Sequence, residues 1–194
     1  MLHNIASLDL SVLKALYEYR HLSVTYALID VTELGSYIAI LGIGACIALI
    51  LGLRYRIAEM TGLIIALGGT AIASTVIKYL VHRARPSEYY NAYTETGYSF
   101  PSEHTSLATA LAVFLVYLVF RLTKKTSART IATCLGLILA ASVGFSRLYL
   151  GVHYLSDVVA GLLLGTLIAG LGIITERSFE HVRTFARIRS LKSN

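Results

Sequence analysis

The chain has 194 residues, of which 56% are apolar and only 14% charged, and its mean hydropathy is +0.67. A typical soluble domain carries roughly 25% charged residues. The composition therefore excludes a disordered chain, a collagen-like repeat and an ordinary cytosolic enzyme, and points to a membrane protein.

Residues Met1 to Asp9 lack the basic start and cleavage site of a removable signal peptide. From Ile5 to Val31 the chain carries Asp9, Lys14, Glu18, Arg20 and His21, with Leu10, Leu13 and Tyr17 at helical spacing. This pattern predicts an interfacial amphipathic helix, with a sixth membrane span as the other reading. Five apolar runs follow: Gly35–Leu53, Gly62–Leu80, His104–Leu122, Ile131–Leu150 and Tyr154–Ile174. Each approaches the ~20 residues needed to cross a bilayer, where the backbone must satisfy its own hydrogen bonds and so forms helices. The expected fold is all-α: one integral-membrane bundle over residues 1–194 with five to six transmembrane helices and a basic cytoplasmic tail over 175–194. Cys46 and Cys134 lie inside apolar runs, with no Cys or His at ligand spacing for a zinc cluster. Both prolines, Pro86 and Pro101, fall in the one long polar loop.

Lysine and arginine counts set the orientation. Arg54 and Arg56, then Arg121, Lys124, Lys125 and Arg129, then Arg177, Arg183, Arg187, Arg189 and Lys192 fall on one side, assigned to the cytoplasm. The outer face keeps Lys14, Arg20, Lys78, Arg83, Arg85 and Arg147.

Four helix ends meet on that outer face. The second span ends in Lys78 through Arg85-Pro86, the third opens with Pro101-Ser102-Glu103-His104, and the turn after the fourth contains Arg147, His153 and Asp157. Lys78 and Arg85 are two helical turns apart and share a face if the helix continues that far. With Arg147 they make three cations that need an anionic partner, and guanidinium forks match phosphate oxygens. Free N–H groups at the start of the third span add an anion site. His153 and Asp157, four apart, face one way; the carboxylate can take one ring proton and leave the other nitrogen free to attack. His104 is a second imidazole able to protonate a leaving group.

Each residue alone has an ordinary role: snorkelling for Lys or Arg, an interface hydrogen bond for His, a helix cap for Asp. Arg20 and Arg83 read as uncommitted outer cations of this kind. The others are distinguished by arriving together, three cations with two histidines and a carboxylate.

Lys78–Pro86 fits KxxxxxxRP, Pro101–His104 fits PSxH, and Ser146–Asp157 fits SRxxxxxHxxxD. In order and spacing these motifs resemble the type-2 phosphatidic acid phosphatase superfamily, in its integral-membrane lipid phosphatase branch. The resemblance implies a helical bundle, a metal-independent phosphatase without cofactor, and a phosphohistidine intermediate. It implies His153 as nucleophile, Asp157 as its orienting partner and His104 as general acid, then base. Lys78, Arg85, Ser102 and Arg147 become the phosphate cradle, with the N–H groups of residues 102 to 104. No carboxylate cluster suited to magnesium is visible in the sequence. The family often has glycine before the PSxH histidine; here Glu103 stands there. Either the helix dipole favours it in the first turn, or it tunes His104 or meets the substrate's head group.

The loop from Arg83 to Tyr98 carries Tyr89, Tyr90, Tyr93 and Tyr98, read as interfacial anchors, with direct substrate contact as the other reading. Size, loop and the acidic motif position together resemble small bacterial enzymes that hydrolyse undecaprenyl diphosphate. Phosphatidylglycerophosphate, phosphatidic acid and lipid A phosphates stay open as substrates. The expected partners are the bilayer and a lipid bearing a phosphate or diphosphate, with no nucleic acid. A lipid or phosphate transporter using the same cations is the reading from another class, but anion binding alone needs no nucleophile.

Overall fold

The computed structural model describes the backbone of residues 2–192 and the side chains of residues 4–180. The apolar runs form helices whose ends coincide with breaks in hydropathy. In chain order these are α1 (Leu2–Glu18), α2 (Leu22–Leu34), α3 (Tyr37–Leu53), α4 (Ile57–Val81), α5 (Glu103–Leu122), α6 (Thr126–Tyr149) and α7 (Leu155–Lys192). A single 3-10 turn at Glu88–Tyr90 interrupts the loop between α4 and α5. Ser36 caps α3 by accepting the Ala39 N–H, which satisfies one otherwise unpaired donor.

Helices α4, α5, α6 and the 155–180 part of α7 are long and apolar enough to cross a membrane. The α2–α3 pair, bent by 42°, makes a fifth span if counted as one. The Ile5–Val31 segment, expected as one interfacial helix, is therefore two helices. The chain breaks at Tyr19–His21, and α2 continues towards α3 instead of remaining with α1. Helix α7 runs on past Ile174; the side chains of its basic end from residue 181 onward lie outside the described residues.

Helix α5 is central, packed against α4, α6 and α7, and buries Leu107, Leu111, Phe114 and Leu118 in the core with Leu63, Leu67 and Val143. Small residues set the spacing. Gly161 and Gly165 form a GxxxG pair on α7, a pattern that lets helix backbones approach closely in a membrane. A Cβ at Gly161 would sit 2.8 Å from the Ser102 carbonyl oxygen. This contact seats the start of α7 against the start of α5, where the histidine motifs lie.

Candidate active site

Both histidine motifs, the RP motif and Arg147 converge at one end of the bundle. Their delivery differs from the sequence expectation at Arg85. Helix α4 ends at Val81, with His82 in the left-handed region at φ 51. Lys78 thus rides on the helix, whereas Arg85 is carried by the extended loop after it and shares no helical face with Lys78. The Lys78 ammonium donates to the Tyr98 carbonyl at 2.8 Å.

His153 lies in the turn between α6 and α7 and is 2% exposed. Its Nε2 faces Nη1 of Arg85 at 3.1 Å. Arg85 can only donate, so Nε2 is the accepting nitrogen and Nδ1 carries the ring proton. Nδ1 lies 3.5 Å from Oδ2 of Asp157 and has no hydrogen bond. Catalytic hydrogen bonds are commonly long before substrate binds. Burial drives the His153 pKa well below its ordinary value, and the nearby Arg147, Arg85 and Lys78 charges act in the same direction. The ring is therefore neutral at neutral pH. His104, in the first turn of α5, is within electrostatic range of His153 and of Lys78, Arg85 and Glu33.

Asp157, fully buried in the first turn of α7, is fixed on two sides. Oδ2 accepts the Tyr154 N–H at 2.9 Å, and Oδ1 accepts from Nη1 of Arg83 at 2.6 Å. Arg83 is thus not an uncommitted cation. Its Nη2 also donates to Asp9 at 2.7 Å, and its guanidinium lies over the Tyr154 ring, 4.3 Å from the centroid. Asp9 in turn accepts the Ser156 N–H at 2.9 Å and the Ser156 hydroxyl at 2.6 Å, so α1 caps the start of α7. Burial pushes the Asp9 pKa up, but the Ser156 and Arg83 bonds outweigh it and hold the group below its ordinary value. Arg20 is also engaged, donating to the Tyr149 carbonyl at 2.6 Å.

Arg147, in the last turn of α6, is fully buried. Nη1 donates to the Thr32 hydroxyl at 2.9 Å and to the Tyr93 hydroxyl, and Nη2 pairs with Glu95. Its Nε has no partner. The opposite edge of the Glu95 carboxylate reaches Nη2 of Arg85 at 3.3 Å. Tyr93 and Glu95 therefore belong to the same polar cluster as Arg147 and Arg85. The sequence placed Tyr93 among interfacial anchors and passed over Glu95, although an acidic residue in a loop facing three cations is a usable signal. Asp9 had a signal too: it falls on the apolar stripe of α1, one turn before buried Leu13.

The α5 terminus contributes less than expected. The Ser102 N–H donates to the Asp157 carbonyl at 3.1 Å, and the Ser102 hydroxyl pairs with Thr105 at 2.9 Å. Of the three N–H groups assigned to a phosphate, those of Glu103 and His104 remain, without intrahelical partners by helix geometry. Glu103 is half-buried, and its charge acts on Lys78 and Arg85.

A carboxylate cluster invisible in the sequence lies at the opposite end of the bundle, where Glu59, Glu176 and Glu180 bring their oxygens within 4.8 Å of one another. Arg121 pairs with all three, so a guanidinium already supplies the cation. Residues 59 and 176 come together only because α4 and α7 pack side by side.

The PAP2 superfamily pattern matches residues 59–178, and the chain belongs to that superfamily. It is similar to phosphatidylglycerophosphatase B of Bacillus subtilis (strain 168), with 31% identity over 107 residues, 55% of this chain and 52% of that protein. It is also similar to an undecaprenyl-diphosphatase of Sulfolobus acidocaldarius, with 34% identity over 110 residues, 54% of this chain and 49% of that one. The chain spans about half the length of these curated relatives. The crystal structure of the first transmembrane PAP2 type phosphatidylglycerolphosphate phosphatase from Bacillus subtilis superimposes with a TM-score of 0.80 at 25% identity, covering 92% of this chain and 87% of that one.

Proposed function

We propose that this PAP2-superfamily chain is a membrane lipid phosphatase that hydrolyses a lipid (pyro)phosphate through a phosphohistidine at His153. The observation that carries the reading is the state of that ring: buried, neutral, with Nδ1 turned towards Asp157 and Nε2 beside the Arg85 guanidinium. Nε2 attacks phosphorus while the bond to the leaving oxygen breaks, and His104 donates a proton to that oxygen. Water then attacks the phosphohistidine as His104 takes its proton. The P–N bond breaks, and inorganic phosphate leaves with Nε2 restored. Arg85, Arg147 and Lys78 stabilise charge on the equatorial oxygens, assisted by the Glu103 and His104 N–H groups. Fixed cations of this kind do the work that a metal ion does in other phosphatases.

Undecaprenyl diphosphate, cleaved to undecaprenyl phosphate and phosphate, is the first substrate; similarity to an undecaprenyl-diphosphatase supports it. Phosphatidylglycerophosphate is the second, supported by the likeness to phosphatidylglycerolphosphate phosphatase. The charge asymmetry of the links supports a site at head-group level on the extracytoplasmic face of the cell membrane.

The test is phosphate release by purified protein in chelator-containing detergent. It compares undecaprenyl diphosphate, phosphatidylglycerophosphate, phosphatidic acid and a soluble phosphomonoester. Turnover of a lipid phosphate, lost in His153→Ala, is the expected result. No release from any of them, with lipid still bound, overturns the phosphatase reading in favour of a transporter.

A further inference from the structure

The phosphate cradle already contains an anion. The Glu95 carboxylate bridges Nη2 of Arg147 and Nη2 of Arg85 at 3.3 Å, and the Tyr93 hydroxyl donates to its Oε2 at 3.1 Å. Two guanidiniums gripping one carboxylate from opposite edges is the arrangement these side chains would make around a phosphoryl group.

The remaining donors of Arg85 are also taken. Nε donates to the Gly97 carbonyl at 3.1 Å, Nη2 to the Thr96 carbonyl at 3.0 Å, and Nη1 to the Val152 carbonyl and the His153 ring, each at 3.1 Å. A guanidinium has five N–H groups and no more. A phosphoryl group cannot be added to this set; it must replace part of it. Thr96 and Gly97 follow Glu95 directly in sequence, so the partner that yields most readily is this one loop segment. The same exchange matters to the nucleophile. While Nη1 of Arg85 donates to Nε2 of His153, the attacking lone pair is occupied.

We propose that Glu95 is the resident anion of the phosphate cradle, a residue of the reaction that substrate displaces on entry and that returns to expel inorganic phosphate. This inference rests on the phosphatase reading above. With Glu95 seated, buried Arg147 has a counterion and the site is electrostatically satisfied without ligand. When a phosphoryl group takes its place, Arg85 turns to the phosphate oxygens and frees Nε2 of His153. Apparent affinity for any phosphoryl anion is lowered by the fraction of molecules in which Glu95 is withdrawn. The same competition limits product inhibition.

The test is the inhibition constant of inorganic phosphate against hydrolysis of the best lipid substrate. It is paired with the rise in melting temperature that phosphate gives the detergent-purified protein. Glu95→Gln keeps the shape and removes the charge; it is expected to bind phosphate about tenfold tighter or more, the counterpart of losing one charged competitor. Glu95→Asp keeps the charge and stays closer to the parent protein. Tyr93→Phe, which removes one bond to the carboxylate and one from Nη1 of Arg147, shifts the constant in the same direction. If Glu95→Gln fails to fold, Glu95→Ala decides the matter, with tighter phosphate binding expected and equal or weaker binding overturning the proposal. Equal or weaker phosphate binding in the variants, with the parent protein hydrolysing lipid phosphate, overturns the role of Glu95 alone. If the parent protein neither hydrolyses lipid phosphate nor responds to inorganic phosphate, the phosphatase reading fails and this inference falls with it.

Discussion

Arg83 donates from Nη1 to Oδ1 of Asp157 at 2.6 Å while its Nη2 holds Asp9 at 2.7 Å. One guanidinium therefore ties the carboxylate beside His153 to the amino-terminal helix. The Arg83 donors are committed to Asp9, Ser156 and Asp157, so its expected effect on chemistry runs through the orientation of Asp157.

Arg83→Ala is accordingly expected to lower kcat by roughly ten- to hundredfold, the loss of charge-assisted hydrogen bonds worth about 1.5–3 kcal/mol, with a smaller change in KM. Arg83→Lys recovers part of the rate, because one ammonium reaches a carboxylate but does not present a fork to two. Steady-state kinetics on the purified variants decides it. A rise in KM with kcat unchanged would place Arg83 on the substrate instead.

The buried His153 ring has a consequence for pH. Burial and three neighbouring cations depress its pKa in the folded protein, so folding disfavours its protonated form. Its contribution to stability is complete above the unfolded value of about 6.5 and declines as pH falls below it, because the unfolded chain takes up a proton that the fold refuses. In activity, the acid limb of kcat/KM that belongs to the nucleophile lies below about 6.5. A pH–rate profile measures this directly, and a nucleophile limb above that value would contradict the neutral ring.

The close contact of α7 with α5 makes a third expectation. A Cβ at Gly161 meets the Ser102 carbonyl at 2.8 Å, whereas one at Gly170 meets nothing within 4 Å. Gly161→Ala should cost about 1–3 kcal/mol through overpacking and lower activity as well, since it pushes Asp157 and His153 away from the α5 terminus. Gly170→Ala on the same helix should leave both unchanged. Thermal unfolding in detergent, alongside phosphate release, separates the two.

At the far end, Arg121 pairs with buried Glu176, while buried Glu59 is held by Arg56 at 2.5 Å and lies 3.7 Å from Arg121. Arg121→Met should destabilise the protein by about 3 kcal/mol or more by leaving the Glu176 carboxylate buried without its counterion, whereas Glu59 keeps Arg56. Adding Glu176→Gln to it should restore part of the loss. Calorimetry of the single and double variants checks this, and additive losses would show that the two residues do not interact.

Much of the architecture follows from local chemistry. Spans of about 20 apolar residues between Arg56 and Ile174 are the length a helix needs to cross lipid, and a helix satisfies its backbone hydrogen bonds within the one segment. The positions of His104, Arg147, His153 and Asp157 at helix ends on one face follow from span parity. Two readings failed for the same reason. Whether α4 continues to Arg85 depends on His82 adopting a left-handed conformation. Whether Arg83 is idle depends on an aspartate 74 residues earlier in the chain. Neither is encoded in hydropathy or spacing.

The sequence by itself determined the class of chemistry: two imidazoles, a carboxylate and a set of cations at fixed intervals, on helices whose composition forces them to span a membrane. Only the tertiary structure decided how those charges are shared. It gave Asp157 to Arg83, gave the Ser102 N–H to the Asp157 carbonyl, and set Glu95 between Arg85 and Arg147. Periodicity reports which face of a helix is apolar and is blind to which distant polar group will meet it. Such pairings are settled by the packing of α1, α5 and α7, because a buried charge must find its partner wherever the fold brings one within about 3 Å.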